Sequence, residues 1–124
     1  MLGEIAVNNY IEGYNCSRCI LKACEHGLNL PLPKQCLDSC SCLSNGFGFG
    51  GFCSSIVASF MVFGLKFDDE VAKRLRIQFL EEFQDKYGSF NCSAIKIGVD
   101  DKIMCEEIIY FVGELVEKLI YNEE

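Results

Sequence analysis

Histidine is almost missing from this sequence. His26 is the only one, at the end of a candidate helix, where a lone imidazole serves more readily as a C-terminal cap than as catalyst or ligand. The two prolines, Pro31 and Pro33, sit together in the short extended link 29–33, since each restricts the residue before it. Long apolar runs are lacking too. The run 56–65 falls short of the ~18 residues that a membrane-crossing helix needs, so no membrane association is expected. Basic charge is scarce: the net charge is −7, the pI is near 4.7, and no basic stripe occurs, which argues against a nucleic-acid partner. Strand signals are absent as well, Val99 and its neighbours being too short a run. The first residues have neither a basic region nor a long apolar core of the secretory type, so the expected compartment is the reducing cytoplasm.

Cysteine, by contrast, is abundant. There are nine in 124 residues of which 50% are hydrophobic. A chain of that length and composition reads as one domain, residues 1–124, able to build a core without covalent staples. The cysteines are therefore chemically informative. Their odd number argues against a closed disulfide framework, and in a reducing compartment a cysteine cluster points to metal or redox chemistry. Charge is distributed unevenly. Residues 1–62 hold four acids and three bases, residues 63–124 fourteen and eight, and seven of the nine cysteines lie in the first half. The first half reads as the site, the second as its solvated support.

Spacing predicts an all-α fold of about five to seven helices. A first helix is expected over 3–12, ended by Gly13. A second runs over 16–26, with Asn15 as N-cap and Gly27 as stop. A third, over 34–43, places Cys36 and Cys40 one above the other. A fourth runs from Cys53 to a break at Gly64. A fifth starts at Asp68 or Asp69, carries the stripe Ala72, Leu75, Phe79, Phe83 and Tyr87, and stops at Gly88. A short helix follows Asn91, and the last starts at Asp100 or Asp101 with Ile108, Phe111, Val112, Leu115 and Leu119 inward.

The stretch 44–55 concentrates the unusual features: Gly46, Gly48, Gly50 and Gly51 alternate with phenylalanines and lead into Cys53. Glycines allow close backbone approach, and a helix start favours a thiolate. An aromatic-Asn-Cys-Ser pattern occurs at Cys16 and again at Cys92, so three thiols stand at helix starts. Both copies also match a glycosylation sequon, an accidental match where no secretory signal precedes it.

The spacings leave three chemistries open. Thiolates ligate iron–sulfur clusters, tuned by N–H groups aimed at sulfur, although the spacings here differ from the bacterial ferredoxin run. Cys16-Ser-Arg-Cys19 is formally a C-x-x-C at a helix start, the arrangement of a dithiol oxidoreductase, without the βαβ context that gives it that meaning. Structural zinc takes four thiolates, often as paired C-x2-4-C units, which would make the domain an interaction module. Cys16 to Ile20 lacks the histidine of a haem attachment site, so no haem is expected. Cys24 and Cys42 read as small apolar fillers.

Taken in order, Gly13-Tyr-Asn-Cys16, the loop 45–51 with Cys53, Met61-Val-Phe-Gly-Leu-Lys66, Tyr87-Gly-Ser-Phe-Asn-Cys92, and Cys105 before a final helix resemble the C_GCAxxG_C_C redox-active family. The metal-binding part of split-Soret cytochromes looks similar. The resemblance implies a small helical protein, redox activity through Cys16, Cys53, Cys92 and Cys105, and an iron–sulfur cluster. Cys53-Ser-Ser-Ile-Val-Ala58 departs from the family pattern, with Ser54, Ser55 and Ala58 where Gly, Ala and Gly are expected. Cys19, Cys24, Cys36, Cys40 and Cys42 exceed the family's four. The expected function is a cluster-binding redox protein that carries or senses electrons, or an oxidoreductase. Cys16, Cys53, Cys92 and Cys105 are the first ligand set, then Cys36 and Cys40, then Cys19. Gly48, Gly50, Gly51, Ser54 and Ser55 are expected to donate hydrogen bonds around the centre. The expected partner is a redox protein, with the Phe-rich loop a candidate homodimer contact.

Overall fold

The computed structural model describes residues 1–98 and 100–124, so the reading of Val99 lies outside the described residues. Among the described residues the fold is all-α and without strands: α1 (Leu2–Ile11), α2 (Cys16–Gly27), α3 (Lys34–Asp38), α4 (Ser54–Lys66), α5 (Asp69–Tyr87), α6 (Cys92–Ile95) and α7 (Asp101–Glu123), with a wide turn over Gly46–Gly50. None of these helices is long and apolar enough to cross a membrane.

Four helices make the framework. α1 packs on α7 and α2, and α2 packs on α4. The α1–α7 crossing is a backbone contact: a Cβ on Gly113 would come within 2.7 Å of Gly3 Cα, so only glycine lets the two helices approach so closely. Ile20, Leu21, Val62, Phe63, Val112 and Ile120 fill the space between them, each at most 1% exposed. α5 presents Leu75, Phe79 and Phe83 to this core, with rings stacking 6.0 Å apart between Phe79 and Phe83. The inward residues of α7 are as the spacing predicts, except that Phe111 is only half-buried, edge-on to Tyr87 at 5.5 Å.

Several caps follow sequence chemistry directly. The Asn15 side chain accepts from Arg18 N–H, Asp68 from Val71 N–H, and Asp100 from Lys102 and Ile103 N–H. Each satisfies an orphan donor of a first turn. Gly88 ends α5 with φ +74°, the left-handed stop expected of glycine. Asn91 stands at the cap position of α6 but makes no side-chain bond there.

Three expected boundaries are corrected. Gly27 is helical rather than a stop, and a Cβ there would collide with Leu2 Cδ2. Packing of α1 against α2 therefore uses this glycine, and the chain turns at Asn29 with φ +53°. Gly64 does not break α4, which continues to Lys66. The added Cβ at Gly64 would meet nothing, and the cost of about 1 kcal/mol for an exposed helical glycine is overridden by burial of neighbouring Val62 and Phe63. α3 stops at Asp38 rather than near 43. Ser39 Oγ donates to Cys36 O (2.7 Å), Ser41 Oγ to Asp38 O (2.8 Å), and Arg18 Nε to Leu37 O (2.8 Å). Side chains that bond the backbone carbonyls replace the helical ladder.

Candidate metal centre

Four cysteines meet at the end of the framework. Cys16 is the first residue of α2, Cys92 the first of α6, Cys53 the N-cap of α4, and Cys105 lies one turn into α7. All four line one cavity, closed on its inner side by Ile108 and Ile109, with an unfilled space of about 20 Å³, room for a single water-sized group. Cys53 and Cys92 are buried, while Cys16 and Cys105 are half-buried. All nine thiols of the chain are free.

The glycine turn positions two of these thiols. Asn45, Gly46, Phe47 and Gly48 all have positive φ, and so does Gly50. That path folds the turn back on itself, with Gly51 N–H donating to Gly46 O at 2.9 Å. The following residues pair with the segment before α6: Cys53 N–H donates to Phe90 O at 2.9 Å and Cys92 N–H to Gly51 O at 2.7 Å, an isolated antiparallel bridge between Phe52 and Asn91. The backbone thus fixes Cys53 and Cys92 side by side.

The serines lie against sulfur. Ser54 Oγ is 2.7 Å from Cys16 Sγ, and Ser55 Oγ is 2.9 Å from Cys53 Sγ. Both serines are fully buried in α4. Gly48 and Gly50 are placed differently. They border an open groove outside the cavity, and Gly50 O accepts from Ser93 Oγ at 2.9 Å. Gly51 contributes its carbonyl to Cys92. These glycines seat the turn on α6 rather than aiming N–H groups into the cavity.

The other expected ligands lie elsewhere. Cys19 is buried on α2 with its thiol donating to Tyr14 O at 3.4 Å. Cys40 is buried beyond the end of α3, its thiol donating to the backbone carbonyl of Cys36 at 3.5 Å. Neither they nor Cys36 line the cavity. Cys24 is a core residue, and Cys42 is exposed.

Electrostatics corrects one expectation. A helix start favours a thiolate, yet burial pushes the Cys53 thiol up to about 11 and the Cys16 thiol up as well. The hydrogen bonds from Ser55 and Ser54 pull in the other direction without prevailing. Desolvation of the charged form outweighs the terminal field in so closed a site. Burial likewise raises Cys19 and Cys24, each to about 12.

Three further residues border the thiols and carry no cysteine signal. Lys96 lines the cavity. Its partial burial lowers the ammonium, but the neighbouring sulfurs of Cys105 and Cys92 prevail and the net direction is up. The i, i+4 spacing of Cys92 and Lys96 was the available clue. Tyr10 is raised to about 12, first by burial and then by the nearby Cys105. Tyr87 Oη is buried without a partner, within electrostatic reach of Cys53.

Whether a metal group suits these residues is a question of donors and their spread. Four thiols and no carboxylate or imidazole is the donor set of iron–sulfur and thiolate-zinc sites. Among the described residues no three Cys, His, Asp or Glu side chains converge as they must on one ion. The four thiols line one cavity and, in their present rotamers, are not gathered on one point.

Residues 14–119 match the model of a family described as "Putative redox-active protein (C_GCAxxG_C_C)". Neither a curated protein nor a solved structure matches the chain.

Proposed function

The chain belongs to the C_GCAxxG_C_C redox-active family, and from that premise we propose that it is an electron-transfer or redox-sensing protein whose cavity thiols hold an iron–sulfur cluster. The observation that carries this reading is the meeting of Cys16, Cys53, Cys92 and Cys105, from four separate segments, around one cavity. When bound, such a group accepts and releases single electrons. Cys16, Cys53, Cys92 and Cys105 would be its ligands. Ser54 and Ser55 would donate to the sulfurs of Cys16 and Cys53, because a ligating thiolate has no proton of its own to give. Ile108 and Ile109 would exclude water from the inner side. Cys36, Cys40 and Cys19 are outside this set. The unfilled space is that of one water, so loading requires the thiol side chains to turn away from their present rotamers. Exchange with a redox partner protein would use the rim, where Cys16 and Cys105 are half-buried.

Burial weighs against the alternative of a metal-free dithiol oxidoreductase. Such a protein needs an exposed thiol of lowered pKa, whereas Cys53 and Cys16 are raised. A metal centre removes this difficulty, since coordination deprotonates a thiol outright.

Anaerobic purification followed by iron, zinc and acid-labile sulfide analysis tests the proposal. Brown protein with iron and sulfide is expected. Serine at positions 16, 53, 92 or 105 should abolish or reduce that content, and serine at 36, 40 or 42 should not. Colourless, iron-free protein sinks the cluster reading, and zinc without iron selects the single-ion site.

A further inference from the structure

Four thiolates around a cationic centre leave a net negative charge. A divalent ion or a cluster core of charge +2 with four thiolates sums to −2. Placing that charge beside Ile108 and Ile109, in a protein whose overall charge is already −7, is unfavourable without a counter-charge. One is present.

Lys96 is the single ordinarily charged side chain among the residues that line the cavity. It is the C-cap of α6, and its backbone N–H donates to Cys92 O at 3.2 Å. The one-turn helix therefore carries thiol and ammonium on the same face. The side chain is half-buried and lines the same cavity as Cys16, Cys53, Cys92 and Cys105. Among the described residues no carboxylate lies within ion-pair distance of it: the basic groups that are paired are the Met1 amine, Lys34, Lys66, Arg74 and Lys118. Even Asp101, which lines the outer groove together with Lys96, is not its partner. The charge of Lys96 is therefore not neutralised by a carboxylate beside the thiol cavity.

We infer that Lys96 is the fixed counter-ion of this site, a positioning residue that offsets the negative charge of the thiolate centre and sets its reduction potential. The inference rests on the thiolate-centre reading given above. Reduction adds one electron to an already negative group. A nearby cation stabilises the reduced state more than the oxidised one. Removing it therefore shifts the potential to more negative values.

The test compares wild type, Lys96→Met and Lys96→Arg, each reconstituted anaerobically with ferrous iron and sulfide and titrated redox-optically, with circular dichroism as the check on folding. Methionine keeps the side-chain length and deletes the charge, and arginine keeps the charge. A more negative midpoint in Lys96→Met, with Lys96→Arg close to wild type, supports the counter-ion, as does loss of loading in Lys96→Met alone. Equal potentials in wild type and Lys96→Met overturn it while leaving the cluster reading intact. Loss of loading in both variants, with helicity intact, also overturns it, because shape rather than charge is then responsible. A wild type that takes up no iron removes the cluster reading and the counter-ion with it.

Discussion

The Cys92 amide donates to the Gly51 carbonyl at 2.7 Å, so the backbone of the glycine turn holds a thiol-bearing residue from a segment forty residues further along the chain. Ser93 reinforces the contact through its hydroxyl bond to Gly50 O at 2.9 Å. The turn is thus a clamp between α4 and α6, and its glycines serve the close approach that the clamp demands.

The clamp separates two glycines with similar backbones. Gly48 (φ +88°) and Gly50 (φ +80°) both occupy the left-handed region, but a Cβ on Gly48 meets nothing, and one on Gly50 would lie 2.8 Å from Ser93 Cβ. Alanine at position 48 should cost only the conformational strain of about 1–2 kcal/mol. Alanine at position 50 should cost more and should also lower the metal content, since it pushes α6 and Cys92 away. Urea unfolding and metal analysis of the two variants decide it, and equal effects would show that no clamp exists.

Much of this was legible in the sequence, for identifiable reasons. Helix starts are local chemistry, and Asn15, Asp68 and Asp100 cap where their side chains can reach an orphan N–H. The stripe on α5 is periodic, so its buried face followed from counting. Helix ends were harder. Gly27 is helical because Leu2 packs against it, and the helix passes exposed Gly64 because its neighbours Val62 and Phe63 are buried. No local rule contains either fact, and α3 is cut short by serines that bond backward and by Arg18 from a different helix. The meeting of Cys16, Cys53, Cys92 and Cys105 was suggested by resemblance and by three matching helix starts, not by spacing within any one segment. Lys96 was missed because a single lysine has no signature until the thiol four residues earlier is known to face a cavity.

Ser54 and Ser55 provide separable probes. Each hydroxyl contacts one sulfur, Cys16 and Cys53 respectively, and each bond pulls its thiol down against burial. Loss of a hydrogen bond to a charged group is worth roughly 1.5 kcal/mol or more, about tenfold in the thiolate fraction. In metal-free reduced protein at pH 8, Ser54→Ala should therefore slow alkylation of Cys16 about tenfold while sparing Cys53. Ser55→Ala should do the reverse. Mass mapping of partly alkylated protein reads both sites at once, and a change at both sulfurs in either variant refutes the one-to-one pairing.

Tyr87 offers a test of what its buried hydroxyl does. Oη has no partner, and burial together with Glu107 and Cys53 raises the phenol. A buried hydroxyl left unpaired costs about 1–3 kcal/mol. Tyr87→Phe should therefore leave the metal-free protein as stable as wild type or more so, by up to about 1 kcal/mol. The ring contacts to Phe83 at 5.0 Å and Phe111 at 5.5 Å are retained in the variant. Denaturant midpoints measure this, and a clear loss of stability would mean that the hydroxyl has a partner, such as an ordered water.

Cys24 allows a pH prediction in which the sign can be worked through. Burial, with a smaller contribution from Glu117, raises its thiol to about 12 from an ordinary value of 9.0. Below pH 9 the thiol is protonated in both folded and unfolded chains, and its contribution to stability is fully present. Between about pH 9 and 12 the unfolded chain loses the proton while the folded one retains it. The folded state then binds more protons, and stability falls as pH rises. Cys19 and Cys53 add to the same trend, being raised to about 12 and about 11. Cys24→Ala removes one of these contributions. It should be about 1 kcal/mol less stable than wild type at pH 7 from the lost packing, and that gap should narrow or reverse by pH 10.5. Urea unfolding of reduced, metal-free protein at pH 7, 9 and 10.5 provides the three points. Parallel lines for the two proteins would show that the Cys24 thiol ionises as readily in the folded state as in the unfolded one.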